Sequence, residues 1–190
     1  IPVEPVDSVK KPYILFYYCD WLPVEEKNKI FEYAQKNGLA VYGAGECDKH
    51  YTSTTVNLTP FQWVWMFKNA SYVVTGTFHG AVFSMLNHRQ FACYLTNPSR
   101  IKKVTSLLEE FKLDSRCCDA NADNIIAKLK EKIDYKRTEE EFEMRRNSSK
   151  VFLKDNINWK DKKTWKLYIG ENDGNYSVWW ENKVLCLWSM

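Results

Sequence analysis

A chain of 190 residues, 45% hydrophobic and 27% charged, has the material for one ordinary core and excludes a disordered or fibrous protein. Its 27 Lys and Arg against 24 Asp and Glu leave a net charge of +3, too balanced for nucleic-acid binding driven by bulk electrostatics. No apolar run reaches the roughly 18 residues that a membrane-spanning helix requires.

Residues 1–12 open with Ile1-Pro2-Val3-Glu4-Pro5, without an initiator Met or a signal peptide, and read as a linker from a missing N-terminal half. Residues 13–19 form a continuous apolar and aromatic run after Pro12, the pattern of a strand covered on both faces. In residues 24–37, Ile30, Phe31 and Ala34 recur at helical spacing and Gly38 follows as a cap residue. Residues 39–43 predict a second strand and 46–57 a polar loop. Thr59-Pro60 supplies an N-cap and a Pro at the first helical position for a helix running to Asn69, and residues 71–75 make the third strand.

Gly76 to Gly80 separates that strand from a short helix over residues 81–86, with Val82, Met85 and Leu86 facing the sheet. A fourth strand spans 90–95. Residues 97–100 are turn chemistry before a helix marked by Ile101, Val104, Leu107, Leu108 and Phe111. Ile125, Ile126, Leu129 and Ile133 mark a further helix, and residues 138–157 a charge-rich one suited to packing across a neighbouring domain. Alternation of this kind predicts an α/β fold with a Rossmann-like, doubly wound parallel sheet over residues 13–157. Residues 158–190 change character: Trp159, Trp165, Trp179, Trp180 and Trp188 fall among strand-like runs at 165–169, 176–180 and 184–188, a small β-meander that needs another surface for stability. Its tryptophans suit packing first and sugar stacking second.

Of the six cysteines, Cys19, Cys93 and Cys186 sit in apolar strand-like runs, where a reduced thiol behaves as a small hydrophobe. Cys117 and Cys118 are adjacent, not spaced as CxxC, and Cys47-Asp48-Lys49-His50 has no second pair to complete a zinc site. The expectation is no metal, no cofactor, no disulfide and a reducing compartment.

The chemistry concentrates where the third strand ends in Thr75-Gly76-Thr77 and His79-Gly80 opens a helix at the carboxyl edge of the sheet. A helix N-terminus offers unpaired N–H groups and a partial positive charge; Gly80 allows close approach, and the Thr75 and Thr77 hydroxyls add donors for an anion. His79 is either a general acid or a phosphate ligand, or merely part of a helix cap. Arg100, beyond the fourth strand, either clamps a carboxylate or phosphate or pairs with Glu109 or Glu110. Arg116 reads as a helix-dipole partner or surface residue, and His50 and His88 as structural or exposed.

Residues 12–15, Lys68 to Thr75 and above all Thr77-Phe78-His79-Gly80-Ala81-Val82-Phe83-Ser84 resemble segments of the polysaccharide pyruvyl transferases, the last being similar to their Ser-Phe-His-Gly signature. Arg100, Leu107-Leu108 and Arg116 resemble that family's Arg-x-Leu-Leu region, and residues 145–153 its closing helix. Where the family commonly has an Asp before the signature hydroxyl, this chain has Gly76.

The resemblance implies the C-terminal half of a GT-B-like, two-domain transferase. Phosphoenolpyruvate would be the donor, a glycan or lipid-linked sugar of a cell-surface polysaccharide the acceptor, and the reaction a ketal-forming transfer. It implies a cytoplasmic site, peripheral at the inner face of the membrane, with His79 catalytic and Thr75, Thr77, Gly80 and Arg100 binding the donor. The alternatives are a glycosyltransferase half-domain that binds a nucleotide sugar, and a non-catalytic module that binds carbohydrate or protein.

Overall fold

Strand β1 (Tyr13–Tyr17) is buried along nearly its whole length because helices cover both of its faces, as its unbroken apolar run predicts. The computed structural model describes residues 3–17, 22–45, 47–53, 55, 57–96, 98–156, 167–172, 175–180 and 183–185. After β1 come α1 (Val24–Lys36), β2 (Ala40–Gly43), α2 (Pro60–Asn69), β3 (Tyr72–Thr75), α3 (Phe78–Leu86), β4 (Gln90–Tyr94), α4 (Pro98–Glu110), β5 (Cys117–Cys118), α5 (Ala122–Lys130) and α6 (Lys136–Asn156). The strands form one parallel sheet in the order β2-β1-β3-β4-β5. This is the Rossmann-like, doubly wound arrangement that the alternation of elements predicts.

Strand parity divides the core. Ile14, Phe16, Val41, Val74, Ala92 and Tyr94 face α1 and α5 in one buried cluster with Ile30, Phe31, Ala34, Ile125 and Leu129. The other face carries Tyr13 and Tyr17 towards α2: the Tyr13 hydroxyl donates to the Met66 carbonyl at 2.6 Å, and the Tyr17 ring lies 5.5 Å from Phe67. Burial, reinforced by the nearby Tyr42, pushes the Tyr13 phenol well above its ordinary range, so it stays a neutral donor. Helices α3 and α4 continue the layer on this face.

Local chemistry explains most boundaries. Thr59 forms a reciprocal capping box with Gln62 ahead of Pro60, and Gly38 adopts φ 65° after the Asn37 cap of α1. The structure corrects four expectations. Helix α3 begins at Phe78 and not at 81, because the Thr77 side chain accepts from Gly80 N–H and caps the turn earlier. Its buried residues are Gly80, Ala81, Phe83, Ser84 and Met85, so of the three expected to face the sheet Met85 is buried, Val82 half-buried and Leu86 38% exposed, because the stripe through Gly80 and Ser84 packs inward. Helix α4 starts at Pro98 and leaves Ile101 exposed while Val104, Leu107 and Leu108 are buried. Finally, the sheet has one strand beyond the four that the sequence predicts: in β5, Cys117 pairs with Cys93 and Cys118 with Tyr94 at the sheet edge. Burial pushes the Cys118 thiol up to about 12, so this position is filled by an inert thiol. Cys19 and Cys186 lie outside the described residues.

Residues 2–139 form one compact unit and residues 140–190 a second. In the latter, β6 (Leu167–Asn172), β7 (Asn175–Trp180) and β8 (Lys183–Leu185) make an antiparallel three-stranded sheet in the order β6-β7-β8. Among the described residues no helix is long and apolar enough to cross a membrane.

Candidate functional site

The order β2-β1-β3 makes β1 and β3 neighbours whose following helices, α1 and α3, lie on opposite faces of the sheet. The crevice outside their carboxyl ends is the topological switch point, where open α/β sheets bind ligands. Tyr17 and Thr75 are register partners at that edge.

The β3–α3 turn spends its hydroxyls internally. Thr75 Oγ1 donates to the Tyr17 carbonyl at 3.0 Å; Thr77 Oγ1 lies 3.1 Å from Thr75 Oγ1 and accepts from Gly80 N–H at 3.0 Å. With the Thr75 proton on the Tyr17 carbonyl, the Thr77 proton goes to Thr75, and both hydrogens are committed. Thr75 is fully buried and Thr77 nearly so. The expectation that these hydroxyls add donors for a ligand is therefore corrected: they hold the turn.

Gly80 has a reason within the turn itself. A Cβ there would collide with Thr75 Oγ1 and lie 2.7 Å from Thr75 Cβ and 2.9 Å from Thr77 Oγ1, so the close approach that requires glycine is that of the strand end to the helix. Gly76 also has a steric reason. A Cβ on it would lie 3.1 Å from the Tyr94 carbonyl oxygen and 3.2 Å from its ring, so an Asp at 76 would require Tyr94 to move.

His79 is what the turn leaves open. It occupies the second helical position of α3, with its side chain exposed and its ring edge-on to Phe78 at 5.8 Å. Gly80 N–H goes to Thr77 Oγ1 and Ala81 N–H to the Thr77 carbonyl. The first-turn amides left without an intrahelical acceptor are those of Phe78 and His79, at the positive end of the helix dipole. A cation not singled out in the sequence joins them: Lys103 Nζ sits 4.4 Å from the centre of the Phe78 ring. Arg100 lies three residues earlier on α4, on the same helix face and partly exposed. Glu109 and Glu110 occupy the last turn of α4, about 14 Å along the axis from the first turn that carries Arg100. Two first-turn amides, an imidazole and the Lys103 ammonium thus gather at this helix end, a set of groups whose chemistry suits a small anion.

The family model described as Polysaccharide pyruvyl transferase matches residues 2–98, just over half of the chain. The chain belongs to that family. The match contains the whole β3–α3 turn and ends at Pro98, so His79 lies inside it and Arg100 and Lys103 just beyond. No curated protein and no solved structure matches the chain.

The remaining candidates in this pyruvyl transferase family member have structural partners. His50 Nδ1 pairs with Asp48 at 3.0 Å, and its ring lies 5.1 Å from Phe31. Burial pushes the Asp48 carboxyl up, but hydrogen bonds from His50 N–H, Lys27 and the His50 ring outweigh this and hold it at about 2. His88 stacks on Tyr135 at 4.8 Å and pairs with Glu139. Arg116 is no surface residue: it is 1% exposed, and its guanidinium binds the Lys128 and Glu131 carbonyls at 2.9 and 3.1 Å and the Glu131 carboxylate at 2.7 Å. It thus closes the C-terminus of α5, the dipole role its position permits.

Proposed function

We propose that this chain binds phosphoenolpyruvate at the His79 end of α3 and takes part in moving its pyruvyl group onto two hydroxyls of a sugar as a cyclic ketal. The observation that carries this reading is an exposed imidazole beside two first-turn amides without an intrahelical acceptor, with Lys103 against the adjoining Phe78 ring. Phosphoenolpyruvate has two anionic ends. The helix amides and Lys103 suit its phosphate, and the Arg100 fork suits its carboxylate.

The chemistry needs a proton at the methylene carbon, which turns the enol carbon into an oxocarbenium-like electrophile. One sugar hydroxyl adds there, the C–O bond to phosphate breaks, and the second hydroxyl closes the ketal. Of the two hydroxyl protons released, one balances the proton taken up by the new methyl group and the other leaves with phosphate. His79 serves either by delivering the methylene proton or by donating to the departing phosphate. Thr75, Thr77 and Gly80 act through the turn they build. A cell-surface polysaccharide precursor, lipid-linked and reached at the inner membrane face, is the acceptor class, and a GT-B-like partner domain completes the enzyme in this reading.

Calorimetric titration with phosphoenolpyruvate and with a panel of nucleotide sugars, paired with phosphate release in the presence of glycan acceptors, tests it. Saturable binding of phosphoenolpyruvate alone is expected, with release abolished by His79→Ala at unchanged thermal stability. Binding of a nucleotide sugar in its place would transfer the site to a glycosyltransferase, and wild-type turnover by His79→Ala would remove the imidazole from the mechanism.

A further inference from the structure

The switch-point crevice has an uncharged wall as well as a cationic one. Because β3 is entered from the amino edge, α2 runs back across the sheet and begins at the carboxyl edge, which places its first turns beside the ends of β1 and β3. Trp63 stands there. Its ring lies 5.1 Å from Tyr17, whose carbonyl holds Thr75, and 4.4 Å, edge-on, from Phe83. Phe83 is four residues after His79, so the two share a face of α3 one turn apart, and Trp63 borders the side of α3 that carries the imidazole.

The rings around Trp63 are unequally covered. Phe67 is fully buried and Phe83 is 4% exposed, whereas Trp63 and Tyr17 are only partly buried. An indole packed 4.7 Å from Phe67 and 4.4 Å from Phe83, both buried, yet itself only partly covered, is a rigid, preorganised surface with a hydrogen-bond donor at its edge. It carries no charge for a phosphate or a carboxylate. It fits a flat neutral molecule with C–H groups on its face and hydroxyls on its rim, which describes a pyranose.

We propose that Trp63 is the platform for the acceptor sugar, stacking on the pyranose whose hydroxyls attack the donor held at His79. This rests on the reading of the site as a pyruvyl-transfer centre and adds the side from which the acceptor enters. Phe61, two positions earlier and 48% exposed, points to the opposite side of the helix and provides a control of equal aromatic character.

The full chain is labelled with 5-fluorotryptophan, and the Trp63 fluorine signal is identified as the one lost in Trp63→Phe. Neutral hexose and N-acetylhexosamine oligosaccharides are titrated in with and without phosphoenolpyruvate. At least one oligosaccharide is expected to shift the Trp63 signal saturably, more than those of the other tryptophans. Trp63→Leu should weaken that sugar roughly tenfold, and Trp63→Phe about threefold, with phosphoenolpyruvate affinity changed less than about twofold; Phe61→Ala should leave both ligands within about twofold. No Trp63 shift with any oligosaccharide, or wild-type sugar affinity in Trp63→Phe, would overturn the proposal. Absence of phosphoenolpyruvate binding with a sugar shift intact would instead sink the donor reading and keep Trp63 as a carbohydrate contact.

Discussion

The two ends of α3 each carry a histidine, and they are held in opposite ways. At the far end His88 adopts φ 52°, stacks on Tyr135 and pairs with Glu139, while Tyr135 donates to the Arg89 carbonyl at 2.5 Å. At the near end His79 touches only its neighbour Phe78 among the described rings, beside amides that the helix cannot use. One imidazole is fastened by its own protein and fixes the start of α6. The other is presented to solvent at the positive end of the helix dipole, with Lys103 against the neighbouring Phe78 ring. A residue type therefore says little by itself; the distinction lies in whether the chain supplies its partners.

The contrast can be broken most severely at Gly80. Gly80→Ala drives a methyl group into Thr75, and a destabilisation of about 3 kcal/mol is expected in urea unfolding, together with loss of phosphoenolpyruvate binding. His79→Ala should lower phosphate release by at least about a hundredfold, the scale of general acid catalysis, and alter stability by less than about 0.5 kcal/mol. His88→Ala should do the reverse, costing about 1 kcal/mol in unfolding with turnover unchanged. Lys103→Met sharpens the near end: donor affinity is expected to fall about tenfold, with kcat less affected, if the ammonium over Phe78 serves the phosphate.

The smallest expected effect concerns the loop after β2. The Asp48 carboxyl, held at about 2 in the fold against an ordinary value near 4, contributes stability above its unfolded pKa. That contribution fades as pH falls through the interval between the two values. Asp48→Asn should cost about 1 kcal/mol at neutral pH after solvent screening, and unfolding curves of the two proteins should converge as the pH approaches about 2.

Much of this was legible in the sequence because the deciding interactions are local. Thr59-Pro60 with Gln62, Gly38 after α1, and the apolar run of β1 each carry their structural reason within a few residues. The signature turn was also legible as a segment, but the roles within it were not. That Thr75 and Thr77 exhaust their hydroxyls on each other, and that Gly80 answers to Thr75, depends on how the helix seats on the strand end. For Arg116 the dipole role is legible but its burial is not, because its acceptors come from the far end of α5, 12 and 15 residues later. Strand β5 has two residues, too few for any alternation to show. Lys103 and Trp63 carry no signal in the sequence because each gains its meaning from rings on a different helix.

The central claim is that a small dianion sits on the first turn of α3. Backbone amide NMR during titration with phosphoenolpyruvate tests it most directly. Saturable downfield shifts of the Phe78 and His79 amide protons are expected, larger than those of Gly80 and Ala81, which already have acceptors. Unmoved Phe78 and His79 resonances at saturating phosphoenolpyruvate would contradict it.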